Sequence, residues 1–122
     1  MIVAGFGFRK NASPGSLQSA FDSACVSVRP DCLAAPDDKA TAKPFRLFAE
    51  QNDLPIKAVP ADVLTQQNTV TQSLTSLTER GVGSVAEAAA LSAAGPGARL
   101  LTERHISADR LATCALAIKE PS

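Results

Sequence analysis

The sequence predicts an α/β fold: a three-layer sandwich with a mostly parallel central sheet, helices on both faces and a C-terminal β-hairpin. Three observations carry this expectation. Short apolar runs (Ile2 to Phe8, Cys32 to Ala35, Pro55 to Pro60) alternate with segments whose apolar residues recur at helical spacing. Proline, glycine or a charged turn marks the changeovers. Two strand-like runs near the end, separated by a short polar turn, are placed to form a hairpin. Strands alternating with helices over a short chain give a sheet covered on both faces. With 122 residues and no repeat or linker, the simplest organisation is one domain spanning residues 1–122.

The elements follow in order. Ile2 to Phe8 is an apolar run bounded by charge, as expected of a buried parallel strand. Its Gly5-Phe6-Gly7 lacks the third glycine of a dinucleotide-binding turn. Ser13-Pro14 opens a helix, with serine as cap and proline in the first turn. Leu17, Ala20, Phe21, Ala24 and Val28 share one face, and Pro30 ends the helix. Cys32 to Ala35 is the second strand, stopped by Pro36, and Asp37-Asp38-Lys39 reads as a charged turn. A helix begins near Pro44 and closes at Asn52-Asp53. Pro55 to Pro60 is the third strand, and Ala61 to Leu64 a single helical turn. Gln66 to Gly81, rich in Thr, Ser and Gln, reads as a solvated helix with apolar positions at Val70, Leu74 and Leu77.

The most organised stretch is Gly81-Val82-Gly83-Ser84-Val85-Ala86-Glu87-Ala88-Ala89-Ala90-Leu91. Ser84 stands at an N-cap with Glu87 three residues on, the capping-box spacing. The helix that follows is almost all alanine, suited to lying close against its neighbour, and Gly95-Pro96-Gly97 stops it. Ala98 to Ile106 and Leu111 to Lys119 are the hairpin strands, joined by Ser107-Ala108-Asp109-Arg110.

Composition narrows the function. Lysine plus arginine and aspartate plus glutamate number 12 each, so the basic excess of a nucleic-acid binder is missing. There is no Trp or Tyr to stack on bases. Three scattered cysteines (Cys25, Cys32, Cys114) and one histidine offer neither a disulfide framework nor metal-ligand spacing. The thiols read as small buried hydrophobes in a reducing compartment. The apolar N-terminus is too short to span a membrane and lacks a basic leader region. A cytoplasmic protein without nucleic acid, membrane, metal or cofactor is expected.

In such a sheet, ligands gather beyond the carboxyl ends of the parallel strands. The loops there are Gly5 to Asn11, Pro36 to Thr41 and Pro60 to Asp62, with the helix start at Gly81 to Glu87. They bring Arg9, Lys10, Lys39 and Lys43 to one rim, which suits a ligand carrying several carboxylates or phosphates. Helix starts add N–H groups and a positive dipole end. Candidate ligand-binding residues are Gly5, Gly7, Phe8, Arg9, Lys10, Lys39, Gly83 and Ser84. Glu87 is a cap or, alternatively, a general base. A single histidine, His105, gives no convincing Ser/His/Asp arrangement.

Gly5-Phe6-Gly7-Phe8-Arg9-Lys10 and Gly81 to Leu91, with Lys39 and the Leu54-Pro55-Ile56 step, resemble the CobE/CbiG C-terminal family of cobalamin biosynthesis. The resemblance covers essentially the whole chain and is that of the stand-alone CobE-like form. It implies an α/β domain serving the aerobic route to the corrin ring. In that family, CbiG proteins open a ring lactone on a cobalt-precorrin, and CobE-like proteins are expected to bind or hand on a corrinoid intermediate. The family often has cysteine where Phe8 stands and glycine where Asn11 stands, so a thiol is not available at this strand end. Corrin precursors are large apolar macrocycles fringed with carboxylates. The rim cations suit the fringe, and Phe6 or Phe8 suits the ring face. Three readings follow: a protein that binds a carboxylated corrinoid or precorrin; a hydrolase acting on a precorrin ring lactone through Glu87; and a docking partner of other cobalamin-biosynthesis enzymes through its alanine-rich or Thr/Gln-rich helix.

Overall fold

The computed structural model describes residues 1–67 and 84–120, so Gly81, Gly83 and most of the expected Gln66 to Gly81 helix lie outside the described residues. Five strands, β1 (Ile2–Phe8), β2 (Cys32–Pro36), β3 (Ile56–Val59), β4 (Arg99–Ile106) and β5 (Ala112–Ile118), form one sheet in the order β3-β2-β1-β5-β4. β1 pairs in parallel with β2, and β2 with β3. β5 runs antiparallel to both β1 and β4, so it alone opposes the other four. The hairpin is present, and it folds back so that its second strand lies against the centre of the sheet.

The two faces are built from different side chains because strand residues alternate sides. On one face Ala4 and Phe6 of β1, Leu33 and Ala35 of β2 and Cys114 and Leu116 of β5 meet α1 (Pro14–Ala24) and α3 (Lys43–Asn52). All five phenylalanines gather there, with Phe6 5.4 Å from Phe45 and 5.2 Å from Phe48, ring centre to ring centre. On the other face Val3, Cys32, Ala34 and Ala117 meet α4 (Ala61–Leu64) and the alanine-rich α5 (Val85–Ala94). Gly5 and Gly7 point to this second face. A side chain on Gly5 would collide with the Ala86 carbonyl oxygen and the Ala90 amide nitrogen, and one on Gly7 would lie 3.1 Å from Val85 Cβ. Alanine on the helix and glycine on the strand let two backbones approach closely.

Local chemistry sets the element ends. Ser13 and Ser16 cap α1 reciprocally, each side chain accepting from the other's backbone N–H at 3.1 Å. α1 ends at Ala24, earlier than the expected run to Pro30, because Ser23, Val26, Ser27 and Val28 are poor helix formers. Val28 still packs against the core from the following loop. Asp37 to Ala40 forms a short helical turn, α2, rather than a plain loop; two acids in its first turn match the positive helix end. α3 closes with Asp53 in the left-handed conformation, and α5 with Gly95 at φ +99°. β4 carries irregularities on either side of Thr102. Among the described residues no helix is long and apolar enough to cross a membrane.

Candidate functional site

The carboxyl ends of β1, β2 and β3 and the β4–β5 turn share one edge of the sheet. Phe8, the last residue of β1, is half-buried and stacks on Phe45 at 5.3 Å. Lys39 reaches over from α2 and places its ammonium 5.3 Å from the centre of the Phe8 ring. Arg9 and Lys10 follow Phe8 in the chain and are exposed. Arg9 is fixed through its backbone, its N–H donating to the Leu111 carbonyl at 2.8 Å and its carbonyl accepting from Ala12 at 3.0 Å. Phe8, Arg9, Lys10 and Lys39 therefore do come together on one edge. Lys43 opens α3 nearby in sequence, and the exposed Asp37 and Asp38 precede Lys39.

The helix starts differ from the expectation. At α1 the Ser16 hydroxyl donates to Asp109 of the β4–β5 turn, whose other carboxylate oxygen accepts from Ser107 at 2.6 Å and from the Leu111 N–H at 3.1 Å. With its proton committed to Asp109, Ser16 Oγ accepts from the Ser13 hydroxyl at 3.2 Å. Hydrogen bonds from Ser107, Ser16 and Leu111 hold the Asp109 carboxyl below its ordinary value. At α5, Ser84 Oγ accepts from the Glu87 N–H at 3.3 Å, as the cap spacing predicts. The Glu87 side chain is fully buried, and its Oε2 accepts from the Arg104 N–H of β4 at 3.0 Å. Both helix starts thus carry a carboxylate of the protein itself.

The remaining candidates sort by burial. Gly5 is buried, and its free side is taken up by α5; Ser84 is also buried, with 1 % of its surface exposed. Phe6 points into the aromatic core and not outward. Gly7 is half-exposed at the same strand end as Phe8. Glu87, with no exposed surface, is a tie between α5 and the irregular part of β4, a position unlike that of a base facing a ligand. His105 sits opposite Cys114 in the β4–β5 ladder. Burial pushes the Cys25 thiol up to about 11 and raises those of Cys32 and Cys114, so all three favour the neutral thiol. Among the described residues no His, Cys, Asp or Glu cluster could hold a metal ion. Sequence reasoning missed the Ser16–Asp109–Ser107 network; its local trace is the Ser107-x-Asp109 pattern of a self-bonding turn.

An open groove of about 510 Å³ lies at the opposite edge, where β3 begins. It is lined by Arg46, Ala49, Glu50, Asp53, Leu54, Pro55 and Ile56. Its two acids against one base make it a poor match for a polyanion, unlike the carboxyl edge.

The fold is an α/β sheet whose carboxyl edge carries an aromatic strand end crossed by a lysine and flanked by exposed cations. The family described as cobalamin synthesis G C-terminus matches residues 2–117, and the chain belongs to that family. Its place is in cobalamin biosynthesis. Among solved structures the chain is similar to CobE, a protein from the cobalamin (vitamin B12) biosynthetic pathway, with a TM-score of 0.86 and 29% identity over 99% of this chain and 93% of CobE. It is also similar to the cobalamin biosynthesis protein ChiG of Agrobacterium tumefaciens, with a TM-score of 0.76 and 30% identity over 99% of this chain and all (100%) of that one. A cobalamin biosynthesis protein G homologue from Sulfolobus solfataricus shares the fold at a TM-score of 0.70 and 18% identity; the chain corresponds to 37% of its length. No curated protein sequence matches the chain.

Proposed function

We propose that this chain is a single domain that binds a carboxylated corrinoid or precorrin intermediate at the carboxyl edge, and presents it for processing or transfer. The observation that carries the reading is the Lys39 ammonium lying 5.3 Å over the half-exposed Phe8 ring, beside Arg9 and Lys10. The pair offers an apolar surface and a cation within one side chain's reach of each other, and a corrinoid offers an apolar macrocycle edged with carboxylates. An ammonium–carboxylate hydrogen bond contributes about 1.5–3 kcal/mol when partly shielded. Membership in the cobalamin family supports a ligand drawn from that pathway.

The lactone-hydrolase reading is the weaker one for Glu87, because a fully buried carboxylate bonded to a strand N–H is not placed to activate water. Docking onto another enzyme of the pathway is compatible with binding and would serve transfer.

The test is titration with hydrogenobyrinic acid, a metal-free corrinoid, followed by its absorption, with Arg9→Ala and Lys39→Ala as variants. Loss of one ammonium–carboxylate contact predicts binding weaker by roughly ten- to a hundredfold for Lys39→Ala. Higher salt should weaken the wild type more than either variant. Affinity unchanged in both variants would remove the site from this edge.

A further inference from the structure

Lys39 lies over an aromatic ring. It is half-buried, and among the described residues it makes no ion pair. What it touches is the Phe8 ring. Its backbone is pinned: the Lys39 carbonyl accepts from Ala42 at 3.0 Å, and the next residue, Ala40, is buried. Phe8 is held as well, by the strand ladder to Ala112 and by its stack on Phe45. The backbone is therefore fixed while the flexible four-carbon stem of the lysine is free to choose another partner.

Resting on the corrinoid reading above, we propose that Lys39 is a movable cation: it covers Phe8 in the free protein and swings onto a ligand carboxylate, uncovering the ring for the ligand's apolar face. The ring quadrupole satisfies an ammonium only weakly at a partly exposed site. A carboxylate offers a stronger, charge-assisted bond and wins the exchange. The aromatic face becomes available only when the cation has left it. The site then selects for two features on one molecule, a carboxylate at the margin and a flat apolar surface beside it. An apolar ring without a carboxylate competes against Lys39 for Phe8. A polyacid without a flat surface draws Lys39 away and leaves an apolar ring exposed to water.

The exchange has a direct signature. A lysine ε-methylene over an aromatic ring is displaced upfield by the ring current, so in protein carrying ¹³C-labelled lysine the Lys39 signal should stand apart from the other lysines. The signal is identified by its absence in Lys39→Arg, and its displacement should disappear in Phe8→Leu or, if that variant folds poorly, in Phe8→Met. On saturation with hydrogenobyrinic acid, the Lys39 signal should move to the ordinary lysine position while the other lysines' methylenes remain near theirs. Saturation seen by absorption with Lys39 still displaced would overturn the exchange while leaving the corrinoid reading intact. An ordinary position in the free protein would overturn it too. A folded wild type that does not bind hydrogenobyrinic acid would overturn the corrinoid reading, and the exchange with it.

Discussion

Gly5→Ala should be among the most damaging single-methyl additions this chain admits. Gly5 lies in the central strand directly under α5, and an added Cβ would stand 2.8 Å from Ala90 Cβ. It would be closer still to the Ala86 carbonyl oxygen and the Ala90 amide nitrogen. Carbon atoms pack at about 3.5–4.0 Å, so the helix must retreat by at least about 0.7 Å. The obstructing atoms are largely backbone, so no rotamer change relieves them. Retreat of α5 loosens the packing of its buried alanines, Ala86 and Ala90 first. Overpacking costs about 1–3 kcal/mol where side chains yield, and a rigid backbone contact places this case at or above the top of that range. For a domain of this size about 3 kcal/mol corresponds to a fall in melting temperature on the order of 10 °C. Gly7→Ala is the control. Its neighbours are the Thr113 hydroxyl and Val85 Cβ, each at 3.1 Å, so a shift of a few tenths of an ångström relieves them, and about 1 kcal/mol is expected. Thermal unfolding followed by circular dichroism reads both. A Gly5→Ala protein melting within 2–3 °C of wild type, or a Gly7→Ala protein melting lower than Gly5→Ala, would refute the close-approach argument, the thresholds being about half of the smaller expected shift.

Other predictions concern the edge and its supports. Glu87→Ala removes a buried acceptor from the Arg104 N–H and should destabilise by about 2–3 kcal/mol, read as a lower denaturation midpoint; corrinoid affinity of the folded fraction should be retained, since Glu87 supports the edge without facing it. Asp109 makes stability pH-dependent in a defined direction. Its carboxyl is held below the ordinary 3.8, so its contribution is fully present above that pH and is lost as pH falls through the lowered folded value. The melting-temperature gap between wild type and Asp109→Asn should therefore be constant near neutrality and close in acid, and a gap that widens in acid would contradict the Ser16–Asp109–Ser107 network. Alkylation by iodoacetamide at pH 8 should be slow at all three cysteines, because burial raises each thiol and Cys25, at about 11, remains protonated; mass spectrometry should find Cys25 modified before Cys32 and Cys114, which are the more deeply buried.

The parts of the fold that were legible in the sequence are those set by local chemistry. Proline and glycine punctuation located the strands, and Ser13-Pro14 and Ser84 marked helix starts that the structure keeps. The hairpin was legible because its turn is polar and its flanks are apolar. What local patterns did not reveal are contacts between distant segments. The carboxylate at Glu87 has the spacing of a capping box, yet one of its oxygens bonds to a strand seventeen residues on. Asp109 accepts from the Ser16 hydroxyl at the start of α1, 93 residues away, a contact no local pattern shows. The glycines of β1 allow a ligand or another backbone to come close, and at Gly5 it is the backbone of α5 that does so. The rim cations were legible as residue types at loop positions, whereas the placement of Lys39 on Phe8 depends on how α2 sits beside β1.

A carboxylated corrinoid bound at the carboxyl edge of the sheet would perturb the backbone of that edge. The most direct measurement is a map of backbone amide shifts of ¹⁵N-labelled protein titrated with hydrogenobyrinic acid. Saturable changes centred on Phe8 to Asn11, Asp37 to Thr41 and the Ser107 to Leu111 turn are expected. Changes centred instead on Arg46, Glu50 and Asp53 to Ile56, at the groove of the opposite edge, would contradict binding at the carboxyl edge.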